Sequence, residues 1–251
     1  MSPEETFAQA DRALAARDAG AAELALTAVW ADIWKAPAEA QHTMANVRMA
    51  QGRYAEAEEL LRSATRAEPK SLRHHIALGH LLVQRADFGA ATEAYASAMR
   101  IDPKWPGLVA VYSDACYRVG RFDESEKAAR HWIAATPNAA AYDMLSCALR
   151  QQGKAKEALA AAEQALQLDP ANAGAKHSRG AALLKLGRHE EALAIFEALL
   201  RGGFQAPVIY LNRGRTLLAL KRNRDAAEAF GDGLRRYPAD KDLQQAVAGG
   251  G

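Results

Sequence analysis

Apolar residues recur along the chain at the spacing of amphipathic helices. The segment after Pro69 shows the pattern most clearly, with apolar residues at Ile76, Leu78, Leu81, Leu82, Ala91, Ala94, Tyr95 and Ala98. Intervals of three and four residues place side chains on one face of an α-helix. Between Leu82 and Ala91 the chain turns polar, so the pattern predicts a helix, a turn and a second helix.

Prolines and glycines divide the chain at regular intervals. Prolines stand 32 to 34 residues apart, or once 68 apart, at Pro37, Pro69, Pro103, Pro137, Pro170 and Pro238. Glycines fall about halfway between them, at Gly20, Gly52, Gly120, Gly153 and Gly187. Because glycine suits the left-handed residue that ends a helix and proline cannot continue one, each interval predicts one helical hairpin.

The repeat divides the chain into seven hairpins that we expect to form a single solenoid domain over residues 1–251. The units are predicted to start near Thr6, Ala38, Leu72, Pro106, Ala139, Ala173 and Pro207. A short helix over residues 241–247 is expected to cap the last unit, because a solenoid must cover its terminal apolar face. The glycines after this helix are expected to be disordered.

Small residues occupy two fixed places in every unit. The eighth place holds Ala13, Ala45, Gly79, Ser113, Ser146, Gly180 and Gly214, and the twentieth holds Ala25, Ala57, Ala91, Ser125, Ala158, Ala192 and Ala226. Two helices approach closely only where the side chains at the crossing are small. The two places therefore mark the contact between the helices of each hairpin.

These features together resemble the tetratricopeptide repeat family, whose signature combines a 34-residue period, two small places, an aromatic residue and a late proline. The best match runs from Leu72 to Trp105, with Gly79, Ala91, Tyr95 and Pro103 in place. The resemblance implies an all-α fold, an α-solenoid of about seven helical hairpins in a right-handed superhelix. It also implies a non-catalytic scaffold or adaptor that binds a peptide or helix of a partner protein in a concave groove.

One unit departs from the signature. The unit that starts at Ala173 lacks the late proline and has Arg201-Gly202-Gly203-Phe204 instead. Two interpretations remain open, a longer turn or a joint at which the stack of hairpins flexes.

The resemblance also indicates which residues line the groove, namely the second, fifth, ninth and twelfth places of each first helix. The predicted partner-binding residues are Arg73, His80, Asp114, Tyr117, Asp143, Arg150 and His177, with Arg118 and Lys185 at the edge. The same stripe includes His42 and Leu211. Arginines favour carboxylates and a tyrosine is a suitable aromatic anchor. The alternative for each side chain is an ordinary solvated position.

The family's clamp for the carboxylate tails of Hsp70 and Hsp90 chaperones is absent. The clamp needs Lys and Asn in one first helix, Asn in the next, and Lys and Arg in the third. Here His42 and Asn46 are followed by Ala77, Gly107 and Val111. We therefore expect no such chaperone as a partner.

Composition narrows the remaining function classes. Lys plus Arg number 32 and Asp plus Glu number 30, so a net charge of +2 gives little attraction to nucleic acid. The acidic start Met-Ser-Pro-Glu-Glu does not resemble a signal peptide, and no apolar run reaches the roughly 20 residues that span a bilayer. These features predict a cytoplasmic protein that does not insert into membranes, and the resemblance to repeats found in bacterial chains implies a bacterial type.

Motifs for catalysis and for metal binding are missing from the sequence. Neither GxxxxGK nor HExxH occurs, and Cys147 and His177 offer two ligands without a third. We expect no enzyme activity, no cofactor and no metal. Two alternatives stay open: a recruiting arm for a sulfotransferase, glycosyltransferase or oxygenase domain after the C-terminus, and a pentatricopeptide-like RNA-binding array. The period of 32 to 34 residues and the small net charge disfavour the RNA-binding array.

Overall fold

The computed structural model describes residues 2–105 and 107–249, and within them the chain forms helices and turns with no strand. Within each of the two compact units consecutive helices pack against each other, as an α-solenoid requires, and this confirms the predicted fold class. The helices are α1 (Pro3–Ala15), α2 (Ala19–Val29), α3 (Ala38–Ala50), α4 (Tyr54–Ala67), α5 (Leu72–Gln84), α6 (Phe88–Ile101), α7 (Leu108–Arg118), α8 (Phe122–Ala135), α9 (Ala139–Gln151), α10 (Ala155–Leu168), α11 (Ala173–Lys185), α12 (His189–Arg201), α13 (Pro207–Ala219), α14 (Asn223–Arg236) and α15 (Lys241–Ala248).

Most first helices begin where the repeat predicts. The predicted starts Ala38, Leu72, Ala139, Ala173 and Pro207 are the first residues of α3, α5, α9, α11 and α13. The predicted start Pro106 lies outside the described residues, and α7 begins at Leu108. The first helix begins at Pro3 rather than near Thr6, because Ser2 and Glu5 form a capping box there.

The turn inside each hairpin uses one left-handed residue. The position of this residue explains why the first repeat starts earlier than predicted. Gly52, Gly120, Gly153 and Gly187 have φ between +75° and +78°, as expected for helix-ending glycines. In the first hairpin the left-handed residue is Arg17 (φ 60°), whereas Gly20 lies inside α2. When the first repeat is counted from Pro3, its small residues at the eighth and twentieth places are Ala10 and Ala22. Both are fully buried.

The small eighth place makes room for a buried aromatic ring. A Cβ atom added to Gly180 would lie 2.8 Å from Cε1 of Phe196, and one added to Gly79 or Gly214 would collide with Tyr95 or Phe230. Phe196 and Tyr95 are each at most 1% exposed. The close helix crossing predicted from the small residues is therefore present in these repeats.

The helices form two compact units, Met1–Gly120 and Arg121–Gly251. Helices α1 to α7 belong to the first unit, whose core surrounds Met44, Leu61, Leu81 and Tyr95. Helices α8 to α15 belong to the second, so the fourth predicted hairpin has one helix in each unit.

The second unit ends in a short helix close to the predicted residues 241–247. Helix α15 starts after Asp240, whose carboxylate accepts the backbone N–H of Leu243, and ends one residue later than expected. Leu243 is fully buried in a cluster with Tyr210 and Phe230. Gly250 and Gly251, which were expected to be disordered, lie outside the described residues. In the described part of the chain, no helix combines the length and the apolar character needed to cross a membrane.

Candidate functional site

The predicted binding residues lie on the first helices of the hairpins. Each compact unit has its own first-helix face, which we define by the second, fifth, ninth and twelfth places of its first helices, with Arg118 and Lys185 at the edge. These helices are α3, α5 and α7 in the first unit and α9, α11 and α13 in the second. In the second unit α9 contacts α11 and α11 contacts α13, so their side chains form neighbouring columns. The predicted residues divide between the two units.

In the first unit Arg73 already has an acidic partner. Its guanidinium donates to the carboxylate of Glu39, so the pair links α5 to α3. Both side chains are exposed. A carboxylate from a ligand would have to compete with Glu39 for this arginine, because the ion pair already satisfies its charge.

The predicted residues on α7 are also paired. Nε of Arg118 donates to Oδ2 of Asp114 at 2.6 Å, and the Arg118 guanidinium lies 4.9 Å from the centre of the Phe88 ring. Tyr117, predicted as an aromatic anchor, is half-buried on the same helix. The cation of this helix is therefore held over an aromatic face and beside a carboxylate.

His80 on α5 contacts a buried tyrosine. Its ring meets Tyr95 edge to face, with 5.7 Å between the ring centres. Although His80 is exposed in part, the buried side of its imidazole lowers its pKa. Burial, followed by the charge of Asp114, raises the pKa of the Tyr95 hydroxyl. Both groups are therefore uncharged near neutral pH.

Two residues expected in the groove are buried instead. His42 is 3% exposed, and its Nδ1 lies 2.9 Å from Nδ1 of His74. Burial above all, and then the charges of Arg73 and His74, lower the pKa of His42 to about 3. The histidines therefore share one hydrogen bond that ties α3 to α5. Leu211 is likewise buried, at 5% exposure.

In the second unit a polar cluster spans α9 and α11. Oγ of Ser178 donates to Oδ1 of Asp143 and lies 3.4 Å from Sγ of Cys147. Burial raises the pKa of the Asp143 carboxyl despite the opposing effects of Ser178 and Arg150. Burial, then the Asp143 charge, raises the pKa of the Cys147 thiol. The thiol is therefore kept in its unreactive protonated form.

His177 and Arg150 add hydrogen-bond donors to this cluster. Nδ2 of Asn212 lies 2.9 Å from Nε2 of His177, and because an amide nitrogen can only donate, the imidazole proton sits on Nδ1. Burial, then the charge of Arg150, lowers the pKa of His177 to about 4. Nε of Arg150 is buried with no hydrogen-bond partner among the described residues. Lys185 is exposed at the end of α11 and forms no ion pair with the described residues.

Sequence reasoning missed Ser178 and Asn212, the partners that orient this cluster. Both stand at the sixth place of their units, directly after the fifth place that carries His177 and Leu211. The signal that could have indicated these partners is a polar residue at the sixth place of the sixth and seventh repeats. Within residues 2–105 and 107–249 no three His, Cys, Asp or Glu side chains converge as metal ligands would.

Comparison with protein families identifies the repeat. The model described as "Tetratricopeptide repeat" matches residues 42–106 and 144–207, about half of the chain. A comparison with curated proteins finds no match.

Several solved structures have similar folds, and two of the three described next are named as tetratricopeptide repeat proteins. A tetratricopeptide repeat protein from Parabacteroides merdae has a TM-score of 0.75 and 15% identity, covering 98% of this chain and 97% of that one. A thermophilic TPR protein from Thermus thermophilus has a TM-score of 0.62 and 22% identity, covering 72% and 98%. The Cut9–Hcn1 hetero-tetramer of the APC/C has a TM-score of 0.64 and 14% identity, covering 85% and 42%. At these identities the likeness concerns the fold.

Proposed function

Because the chain belongs to the tetratricopeptide repeat family, whose fold serves as a scaffold for protein–protein interaction, we propose that it binds a partner protein through the first-helix face of its second unit. The observation that carries the proposal is the difference between the two units in how the arginine side chains are hydrogen-bonded. Arg73 and Arg118 are compensated by Glu39 and Asp114, whereas Arg150 has a buried Nε without a hydrogen-bond partner among the described residues.

The donors of the second unit favour an acidic segment of the partner. Arg150 and Lys185 carry positive charge, and neutral His177 keeps an N–H on Nδ1. A carboxylate can accept from all three kinds of donor, and an arginine can hold it through two parallel hydrogen bonds. Asp143 also lies on this face, where burial raises the pKa of its carboxyl and the charge of Arg150 partly opposes that rise.

Apolar contacts complete the proposed site. Leu184 at the end of α11 is half-buried, and Leu218 at the end of α13 is 42% exposed. A peptide or helix with an acidic residue next to an apolar one would match this face. The Cut9–Hcn1 assembly supports the proposal by analogy, since the chain whose fold matches this one is part of a complex of two different proteins.

The single-domain organisation expected from the repeat is part of this proposal, and one cooperative unfolding transition would support it. An enzyme-recruiting role stays a prediction, since binding through this face would serve either role.

The experiment compares a face variant with a charge-matched control. The face variant is Arg150→Gln with Lys185→Gln, and the control is Lys156→Gln with Arg224→Gln, two exposed cations on the second helices α10 and α14. Proteins captured from the native cell by the intact chain are identified by mass spectrometry, and the captured partner is then purified for a direct titration.

We expect the face variant to bind the purified partner at least tenfold more weakly, while the control binds as the intact chain does. A photo-crosslinker at position 185 should label the partner, and one at position 156 should not. Equal affinity of the face variant and the control would refute this site and direct attention to the second helices.

A further inference from the structure

The sixth repeat contains a cavity that does not belong to the first-helix face. It lies within the second unit, at the open end of the α11–α12 hairpin, and has a volume of about 340 Å³. Its wall includes Lys176, Arg179, Ile195, Ala198, Leu199 and Phe204. The lining is mostly apolar, and its two cations, Lys176 and Arg179, both come from α11.

At the cavity this repeat lacks the large aromatic side chain that its two neighbouring repeats carry at the same place. The fourth place of the first helix is Tyr142 in the preceding repeat and Tyr210 in the following one, but Lys176 here. Tyr210 is 9% exposed and packs near Tyr237, with 6.3 Å between ring centres. A lysine stem cannot replace a packed ring, so the hairpin is left open at this end.

The same repeat departs from the pattern at its last turn. Phe204 stands where the other complete repeats have proline, 34 residues after Pro170 and 34 before Pro238. The backbone N–H groups of Gly203 and Phe204 donate to the carbonyls of Leu200 and Leu199 at 3.1 and 3.0 Å, and Gly203 has φ of +82°. This hydrogen-bonded helix end supports the interpretation as a turn and fixes Phe204, 38% exposed, at the cavity.

The cations at the cavity are only partly compensated by nearby acids. Nε of Arg179 is buried and has no hydrogen-bond partner among the described residues, and the carboxylate Oε1 of Glu163 lies 3.8 Å from it. That distance is beyond a normal hydrogen bond. Lys176 is half-buried and forms no ion pair with the described part of the chain.

We propose that this cavity binds a carboxylate attached to an aromatic body, whose ring fills the place of the missing tyrosine and whose carboxylate pairs with Lys176 and Arg179. The volume lies at the lower end of the range for small-ligand sites, about 300 to 1,000 Å³. Such a ligand satisfies both halves of the site, since the ring buries apolar surface against Ile195, Leu199 and Phe204. The C-terminal phenylalanine of a polypeptide and a free aryl carboxylate share this chemistry.

The test uses N-acetyl-L-phenylalanine as the probe, with N-acetyl-L-phenylalanine amide and N-acetylglycine as controls that lack the charge or the ring. Binding to the intact chain is followed by methyl NMR shifts of Ile195 and Leu199. For a ligand of this size we expect a Kd on the order of 1 mM. Each control ligand should bind at least fivefold more weakly.

Variants locate the site. Lys176→Tyr should fill the cavity and abolish binding, and Arg179→Gln should weaken binding at least fivefold. Lys176→Gln, which removes the charge and keeps a polar side chain only one atom shorter, should also weaken binding. This variant covers the case in which the tyrosine variant does not fold. The matched control is Arg213→Gln, because Arg213 stands at the equivalent place of the next repeat, with a buried Nε 3.9 Å from Glu197.

Two outcomes support the proposal and distinguish the source of the ligand. A pentapeptide ending in phenylalanine that binds more tightly than the acetylated amino acid indicates a polypeptide C-terminus, and equal or weaker binding indicates a small molecule. The proposal is overturned if no probe binds, if the amide binds as well as the acid, or if Lys176→Tyr binds as the intact chain does. Since Arg150 and Lys185 do not line the cavity, this result is independent of the proposed partner-binding face.

Discussion

Burial of His177 should make the stability of the protein depend on pH. Its folded pKa is about 4, because the imidazole is desolvated and lies near Arg150, whereas an unfolded histidine titrates near pH 6.5. A histidine with a lowered folded pKa contributes its full stability above the unfolded pKa. That contribution is lost as pH falls from about 6.5 toward 4, since the unfolded chain then binds the proton that the folded chain refuses.

The magnitude follows from the two pKa values. At pH 5 the unfolded imidazole is almost fully protonated and the folded one is protonated in about a tenth of the molecules. The corresponding loss of unfolding free energy between pH 7.5 and pH 5 is about 2 kcal/mol. His42 acts with the same sign, since its pKa of about 3 is also lowered by burial. The contribution of one histidine must therefore be measured as a difference between variants.

The assay is urea unfolding followed by circular dichroism between pH 5 and pH 7.5. His177→Gln keeps an acceptor for Asn212 but cannot titrate, so its loss of stability over this range should be about 2 kcal/mol smaller than that of the intact chain. The control is His131→Gln, an exposed position on α8 that should retain the pH dependence of the intact chain.

Equal pH dependence of His177→Gln and the intact chain would refute this reasoning. It would mean that His177 is protonated in the folded protein or that solvent reaches it freely. Asp143 titrates with the opposite sign, because its pKa is raised by burial and its charged form is the unfavourable one in the fold. That opposing contribution is common to both proteins and cancels in the comparison.

Two further predictions concern the turns and the C-terminal helix. Ala86 has φ of 59°, so Ala86→Gly should relieve left-handed strain and raise the unfolding free energy by about 0.5 kcal/mol. The control is Ala227→Gly on the exposed face of α14, which should lower the unfolding free energy by about 1 kcal/mol. Chemical denaturation decides, and a destabilised Ala86→Gly protein would contradict the assigned turn. Deletion of residues 241–251 removes fully buried Leu243 from its contacts with Tyr210 and Phe230, and should lower Tm and promote self-association in sedimentation, while Val247→Ala at an exposed site should do neither. A truncated protein that melts and sediments like the intact chain would show that α15 does not cap the core.

The sequence by itself determined the repeat, its helices and most of their first residues. Proline and glycine act locally, through a fixed φ and through access to the left-handed region, so their spacing predicts where helices end without knowledge of distant contacts. The paired small places also follow from the sequence alone, because a glycine such as Gly180 and an aromatic residue such as Phe196 complement each other within one hairpin. Arg150 and His177 could also be predicted as groove residues, because that prediction needs only the period of the helix and the family resemblance.

Only the tertiary structure decided which of the predicted binding residues are free to contact a partner and which already contact other residues of the chain. Arg73 pairs with Glu39, 34 residues earlier, and His42 turns inward to meet His74, 32 residues later. These contacts depend on the distance and rotation between helices of successive hairpins, which a periodic pattern does not contain. The turn at Arg17, by contrast, needed no distant contact: α1 starts at a local capping box of Ser2 and Glu5, a signal already present in the sequence.

The cavity of the sixth repeat shows the same division most clearly. The sequence displays Phe204 at a proline place and, 28 residues earlier, Lys176 at a place where both neighbouring repeats have tyrosine. Their convergence around about 340 Å³ of open space is visible only when α11, α12 and the following turn are packed together. The physical reason is that a cavity is a property of volume left unfilled between elements, and no local preference of the chain records it.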